Sequence, residues 1–95
     1  MPKFIRVPQG RICRLVRGSG FSGLYTDDFS SCNIIVFQGK NQEGTGSVAL
    51  SMIHADPSTD PITLVNEKHW IDEEQHSSCS ILIFYKDFRI PNFAL

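Results

Sequence analysis

Asn33-Ile-Ile-Val-Phe37 and Ser47-Val-Ala-Leu-Ser-Met-Ile53 are the two stretches that decide the fold. Both are short, apolar and rich in β-branched side chains, which suits strands better than helices. Between them, Gly39-Lys-Asn-Gln-Glu-Gly-Thr-Gly46 is polar and holds three glycines, so the pair reads as a hairpin with a long loop. With the loop centred on Glu43, antiparallel pairing sets Phe37 opposite Ala49, Val36 opposite Leu50, Ile34 opposite Met52 and Cys32 opposite His54. One face then collects Cys32, Ile34 and Val36 with His54, Met52, Leu50 and Val48, a coherent apolar surface.

Upstream of this hairpin, strands are expected near Lys3 to Val7 and Gly10 to Val16, separated by Pro8 and followed by the Gly-Ser run Gly18 to Gly23. Downstream, Asp56 to Asp60 is a connector, and Asp60-Pro61 supplies an N-cap followed by proline at the first helical position. A helix from about Pro61 to Glu74 fits, with Ile62, Leu64, Val65, Trp70 and Ile71 as its apolar positions. Ser80-Ile-Leu-Ile-Phe-Tyr85 reads as a central strand, and Phe88 to Leu95 as an extended segment broken by Pro91. The expected fold class is α+β: a mostly antiparallel, sandwich-like sheet with one main helix, forming a single domain over residues 1–95.

Composition agrees with one small core. The 95 residues are 41% hydrophobic and 20% charged, with ten aromatics to bury, which excludes wholesale disorder. The longest apolar stretches, Ile34 to Phe37 and Ile81 to Tyr85, fall far short of the roughly 20 residues of a bilayer-spanning helix. No secretory signal is readable in Met1 to Gly10, so a soluble, cytoplasmic protein is expected, with export by another signal left open. The three cysteines, Cys13, Cys32 and Cys79, are odd in number and widely spaced, which argues against a disulfide framework. The net charge of −1 hides an asymmetry: Met1 to Thr26 holds Lys3, Arg6, Arg11, Arg14 and Arg17 and no acid. Such a segment can dock an acidic partner or a phosphate backbone, although charges on solvated strand faces are the commoner explanation. No aromatic-basic signature accompanies it, so nucleic acid is not expected as a partner.

Two motifs fail on context. Gly18-Ser-Gly20-Phe-Ser-Gly23 matches G-x-G-x-x-G, but a dinucleotide loop must open a helix inside a βαβ unit, and only Leu24 to Ser31 separates it from the next strand. Cys13, Cys32, Cys79, His54, His69 and His76 are potential metal ligands, yet no pair shows C-x-x-C or H-x-x-x-H spacing. No metal and no cofactor are expected.

Cys32 and His54 are the informative pair, each at one end of a hairpin strand. Directly opposed Cβ atoms lie about 4.5 to 5.5 Å apart, close enough for a thiol to share a proton with an imidazole. A thiolate beside an imidazolium is an activated nucleophile. The plain alternative is a small buried cysteine and a satisfied histidine. Cys13 and Cys79 sit within strand-like runs and are expected to be structural.

Thr26-Asp-Asp-Phe-Ser-Ser-Cys32, an apolar strand, and Ser51-Met-Ile-His54-Ala55 closing the next strand resemble the active-site segment of a family of cysteine glutamine deamidases. That family joins the catalytic domain of cytotoxic necrotizing factor, Burkholderia lethal factor and the CheD-type chemotaxis receptor deamidases. Its signature is a threonine six residues before a cysteine that follows a Leu-Ser-Gly-Cys or Gly-Ser-Cys turn, then a strand, a loop and a histidine. Thr26, Cys32 and His54 match those positions, while Ser31 replaces the glycine of the turn, and the likeness covers about Leu24 to Asp56. The resemblance implies a bacterial, toxin- or effector-like hydrolase that converts a glutamine of a partner protein to glutamate, in the cytoplasm or after delivery into a host cell. Cys32 would be the nucleophile, His54 the base and later the acid, and Thr26 the residue orienting the imidazole. Backbone N–H groups at Ser31 and Cys32 would bind the oxyanion. Asp56, two residues beyond His54, is expected to face solvent in the Pro57 turn. Two other readings stay open: a non-catalytic interaction domain using the basic N-terminal strands or a sheet edge, and a cysteine amidase or peptidase of small substrates.

Overall fold

The computed structural model describes residues 2–27, 33–44, 46–84 and 93–95. Among them the order is β1 (Phe4–Arg6), β2 (Ile12–Val16), β3 (Gly23–Tyr25), β4 (Asn33–Lys40), β5 (Ser47–Ala55), α1 (Ile62–His69), a π-helical turn (Trp70–Glu74), β6 (Ser78–Phe84) and β7 (Phe93–Ala94). The strands form two sheets. One is antiparallel with order β2-β5-β4-β6; the other has order β1-β3-β7, with β1 parallel and β7 antiparallel to β3. The α+β class, with strands dominant and one helix, is as the sequence implies.

Two cores follow from the alternation of side chains along the central strands. Ile34, Val36, Leu50 and Met52 point between the sheets and meet Val7, Leu15, Leu24 and Phe93. Ile35, Phe37, Ala49 and Ile53 point the other way and meet Trp70 and Ile71. The molecule therefore has three layers: small sheet, large sheet, helix. Phe84 and Phe93 close the sandwich edge to face, with ring centroids 5.6 Å apart. At Gly23 the small sheet needs glycine, because a Cβ there would collide with the Phe93 carbonyl oxygen and the Phe4 ring.

The hairpin faces are as expected, but the register is not. Val36 lies opposite Met52, Phe37 opposite Ser51 and Ile34 opposite His54, so Cys32 is not the residue facing His54. Two causes add. The strands run to Lys40 and from Ser47, which moves the loop centre past Glu43, and a bulge between Gly39 and Lys40 inserts a further residue. The total slip is two residues, an even number, so every side chain keeps its face. Val48, beside the bulge, is only half-buried.

Three other expectations need correction. The segment read as a loop up to Gly23 leads straight into β3, a strand too short to show alternation. The apolar run in β6 is not central: among the described residues it pairs with β4 alone, and Ile81, Leu82 and Ile83 are exposed. In the helix, Ile62 and Val65 face outward, whereas Glu67 is buried. The inward stripe is partly buried Leu64 with buried Glu67, Trp70 and Ile71, and the wider π turn, closed by Gln75 N donating to Trp70 O at 3.0 Å, lets consecutive Trp70 and Ile71 both reach the sheet. The cap is as expected in kind: Asp60 Oδ1 accepts from Ile62 N at 3.0 Å, with Pro61 helical between them. Of the final segment, Phe88 to Asn92 lie outside the described residues.

Candidate functional site

His54 occupies the penultimate position of β5 and is 1% exposed. It shares a face with Leu50 and Met52, so its ring enters the space between the sheets. There the end of β3 delivers Thr26, also buried, whose Oγ1 lies 2.9 Å from His54 Nδ1 and donates to the Val7 carbonyl oxygen at 2.7 Å. A threonine hydroxyl has one proton. Since a carbonyl can only accept, that proton is committed to Val7, and Thr26 must accept from Nδ1–H. Neutral His54 is thereby held as the Nδ1–H tautomer, with the basic lone pair on Nε2, an atom that is itself buried.

The backbone reinforces this orientation. Gly10 N donates to His54 O at 2.9 Å, and His54 N donates to Arg11 O at 3.0 Å. The turn from Val7 to Arg11 thus holds both the main chain of His54 and, through Val7 O, the hydroxyl that orients its ring. Gly10 can make this turn because its φ is +75°, and a Cβ there would sit 3.1 Å from Asp56 Oδ2. Asp56 accepts from Ser58 N, Ser58 Oγ and Thr59 Oγ1, and these bonds, Ser58's first, hold its carboxyl below the usual carboxylate range.

Of the residues singled out in the sequence, Thr26 and His54 are brought together. Cys32 and Ser31 lie outside the described residues. Cys32 is joined by one peptide bond to Asn33, and Asn33 pairs with Ala55, the neighbour of His54. Cys13 and Cys79 are half-buried in β2 and β6. Burial pushes both thiols up, and at Cys79 the nearby Asp72 adds to burial while Lys68 opposes it. Both are poor thiolates at neutral pH. Among the described residues no three His, Cys, Asp or Glu side chains gather as a metal-ligand set, and no helix is long and apolar enough to cross a membrane.

A second polar cluster, which the sequence reading missed, lies on the opposite face of β5. Arg14 and Ser51 are cross-strand partners, and both reach Glu67 of α1. Arg14 donates through Nε at 2.8 Å and Nη2 at 2.7 Å, one bond to each carboxylate oxygen, while Ser51 Oγ donates at 2.6 Å. The guanidinium also stacks 4.9 Å from the Trp70 ring centroid. Burial alone would push the Glu67 carboxyl up, but the Arg14 and Ser51 hydrogen bonds and the Arg14 charge outweigh it and hold the carboxyl low. A legible signal existed, because Glu67 falls at helical spacing within the stripe of Leu64, Trp70 and Ile71.

No protein-family model matches the chain, and neither a curated protein nor a solved structure matches it.

Proposed function

We propose that the protein is a cysteine-dependent amidohydrolase that converts a glutamine side chain of a partner protein to glutamate. The observation carrying this reading is the fixed tautomer of His54: a buried imidazole whose Nδ1–H is tied to Thr26, which puts the basic lone pair on Nε2. That is what a general base next to a thiol requires. The likeness of Thr26, Cys32 and His54 to the glutamine deamidase signature supports the same assignment of roles.

In this reaction His54 Nε2 takes the proton of the Cys32 thiol, and the thiolate attacks the carboxamide carbon. The developing oxyanion is assigned to the backbone N–H groups of Ser31 and Cys32. The tetrahedral intermediate collapses as imidazolium protonates the departing nitrogen, releasing ammonia and leaving a thioester. Water, deprotonated by Nε2, then attacks the thioester to give glutamate and the free thiol. The residues need no cofactor for these steps.

The test is Cys32→Ser, which exchanges a sulfur for a hydroxyl and creates a cavity too small to unfold a domain. Wild type and variant are incubated with lysates of candidate source and host cells, and glutamine-to-glutamate changes are read by peptide mass spectrometry. A change with wild type alone supports the reading. A second reading, a non-catalytic interaction module, draws on the exposed Ile81, Leu82 and Ile83 of β6. It replaces the first if no glutamine changes while both forms retain the same partner.

A further inference from the structure

The two edges of the large sheet are finished differently. β2 carries Arg14 at its centre, held by Glu67, and of its apolar side chains only Ile12 is exposed. β6 has no charged residue and no proline from Ser78 to Phe84, and it pairs residue for residue with β4, from Ser78 opposite Lys40 to Phe84 opposite Ile34. Edge strands are ordinarily blunted by charges, prolines or bulges. β6 has none of these, and among the described residues its other edge has no strand partner.

Ile81, Leu82 and Ile83 of this strand are 46%, 39% and 48% exposed. Side chains alternate along a strand, so Leu82 lies on the side of the small sheet and Ile81 and Ile83 on the side of the helix. The helix stands toward the other edge, where Glu67 reaches Arg14 of β2 and Ser51 of β5, and it leaves Ile81 and Ile83 uncovered. A run that is apolar on both faces is the pattern of a strand inside a sheet, not at its rim. We propose that β6 pairs antiparallel with β6 of a second copy of this chain, about a two-fold axis through Leu82. Leu82 then faces Leu82, and Ile81 of each copy faces Ile83 of the other, at directly opposed positions where Cβ atoms lie about 4.5 to 5.5 Å apart. All three exposed residues are matched to one another.

Charge favours a second copy over a foreign chain. The strand carries none with which to select a partner, and the net charge of −1 sets little repulsion between copies. The pairing also closes on itself. The joined sheet runs β2-β5-β4-β6-β6-β4-β5-β2, so both of its outer edges are β2 with Arg14, and the self-complementary contact leaves no β6 edge to propagate. His54 and Phe84 both lie opposite Ile34, so β6 ends beside the His54 site, and the two-fold axis sends the two sites to opposite ends of the joined sheet. Each site stays within its own copy, and the inference does not depend on the amidohydrolase reading.

The test is sedimentation velocity of the whole chain over a range of concentrations, with amide spectra showing that each variant is folded. Wild type is expected to pass from one to two copies per particle as concentration rises. Ile81→Lys/Ile83→Lys sets lysine opposite lysine twice and should weaken association about a hundredfold, and Ile81→Glu/Ile83→Glu should do the same. An equimolar mixture of the two should recover the two-copy particle, because every lysine then faces a glutamate. If a charged pair fails to fold, Ile81→Thr/Ile83→Thr keeps the β-branched side chains and should still weaken association roughly tenfold. A wild type that stays monomeric at about 1 mM, a dimer that survives the double substitutions, or charged variants that fold but do not associate when mixed would overturn the proposal. So would open-ended growth in particle size, or association lost only in Ile62→Lys/Val65→Lys, which would move the contact to the exposed flank of α1. None of these readouts involves turnover, so a negative result removes the dimer and leaves the amidohydrolase reading to its own test.

Discussion

Ser51 and His54 stand three residues apart on β5 and face opposite sides of the large sheet, and the polar groups around them are built to opposite ends. On the helix side the Glu67 carboxylate is matched at both oxygens: Arg14 donates to each and Ser51 adds a third bond. Such a network ties helix to sheet and commits the carboxylate to its partners. Between the sheets, Thr26, its own proton committed to Val7 O, accepts from Nδ1–H of His54 and so puts the basic lone pair on Nε2. Burial alone does not tell Ser51 and His54 apart, since both are nearly inaccessible. The distinction lies in what the hydrogen bonds fix: a charge pair on one side, the tautomer of an imidazole on the other.

Mutation should separate the two sides. The largest effect is expected at His54. His54→Gln should lower glutamine conversion by about 10³-fold, the scale of a lost general base, with the Glu67 cluster intact. A variant that folds and retains full activity would place the base elsewhere.

Glu67→Ala should do the reverse. It removes three hydrogen bonds and leaves the Ser51 hydroxyl buried without its acceptor, a cost of about 2–3 kcal/mol in unfolding free energy. The figure stays below that of a fully buried pair because the Arg14 side chain is 42% exposed and can turn to water. Conversion per folded molecule should not change. The same cluster sets an acid limit. The folded Glu67 carboxyl titrates below its unfolded value of about 4.3. Its contribution is therefore fully present above that pH and is lost as the pH falls through the lower folded value. Denaturant unfolding of wild type should weaken across that window more steeply than that of Glu67→Gln.

How much of this was legible in the sequence differs between the sides. Faces were legible, because alternation along β4 and β5 survives any even slip. Register was not, because the bulge at Gly39/Lys40 has no marker beyond a glycine. The run Ile81 to Ile83 misled, since an exposed edge strand and a buried central one can share the same apolar composition. Glu67 was missed because its partners lie 53 and 16 residues away, and a charged residue on a helix is ordinarily read as solvated. His54 stands out from the hairpin pairing and Thr26 only through a resemblance; their contact comes from β3, a strand that periodicity could not show.

A smaller effect sharpens the comparison within the His54 side. Gly10→Ala and Gly18→Ala each put a Cβ on a left-handed residue, with φ of +75° and +91°, and each should cost about 1 kcal/mol. Gly18 has open space around it and no bond to His54, whereas Gly10 donates to the His54 carbonyl. Severalfold loss of conversion is expected for Gly10→Ala and none for Gly18→Ala. Equal activities would show that the Val7 to Arg11 turn does not position the imidazole.

The central claim is that Thr26 fixes which nitrogen of His54 is basic, and long-range ¹H–¹⁵N correlation of the imidazole tests it most directly. At a pH where the ring is neutral, the account predicts a proton on Nδ1 and a pyridine-type Nε2 in wild type, with loss of that single tautomer in Thr26→Ala and its recovery in Thr26→Ser. A neutral His54 with its proton on Nε2, or a tautomer unchanged in Thr26→Ala, would contradict it.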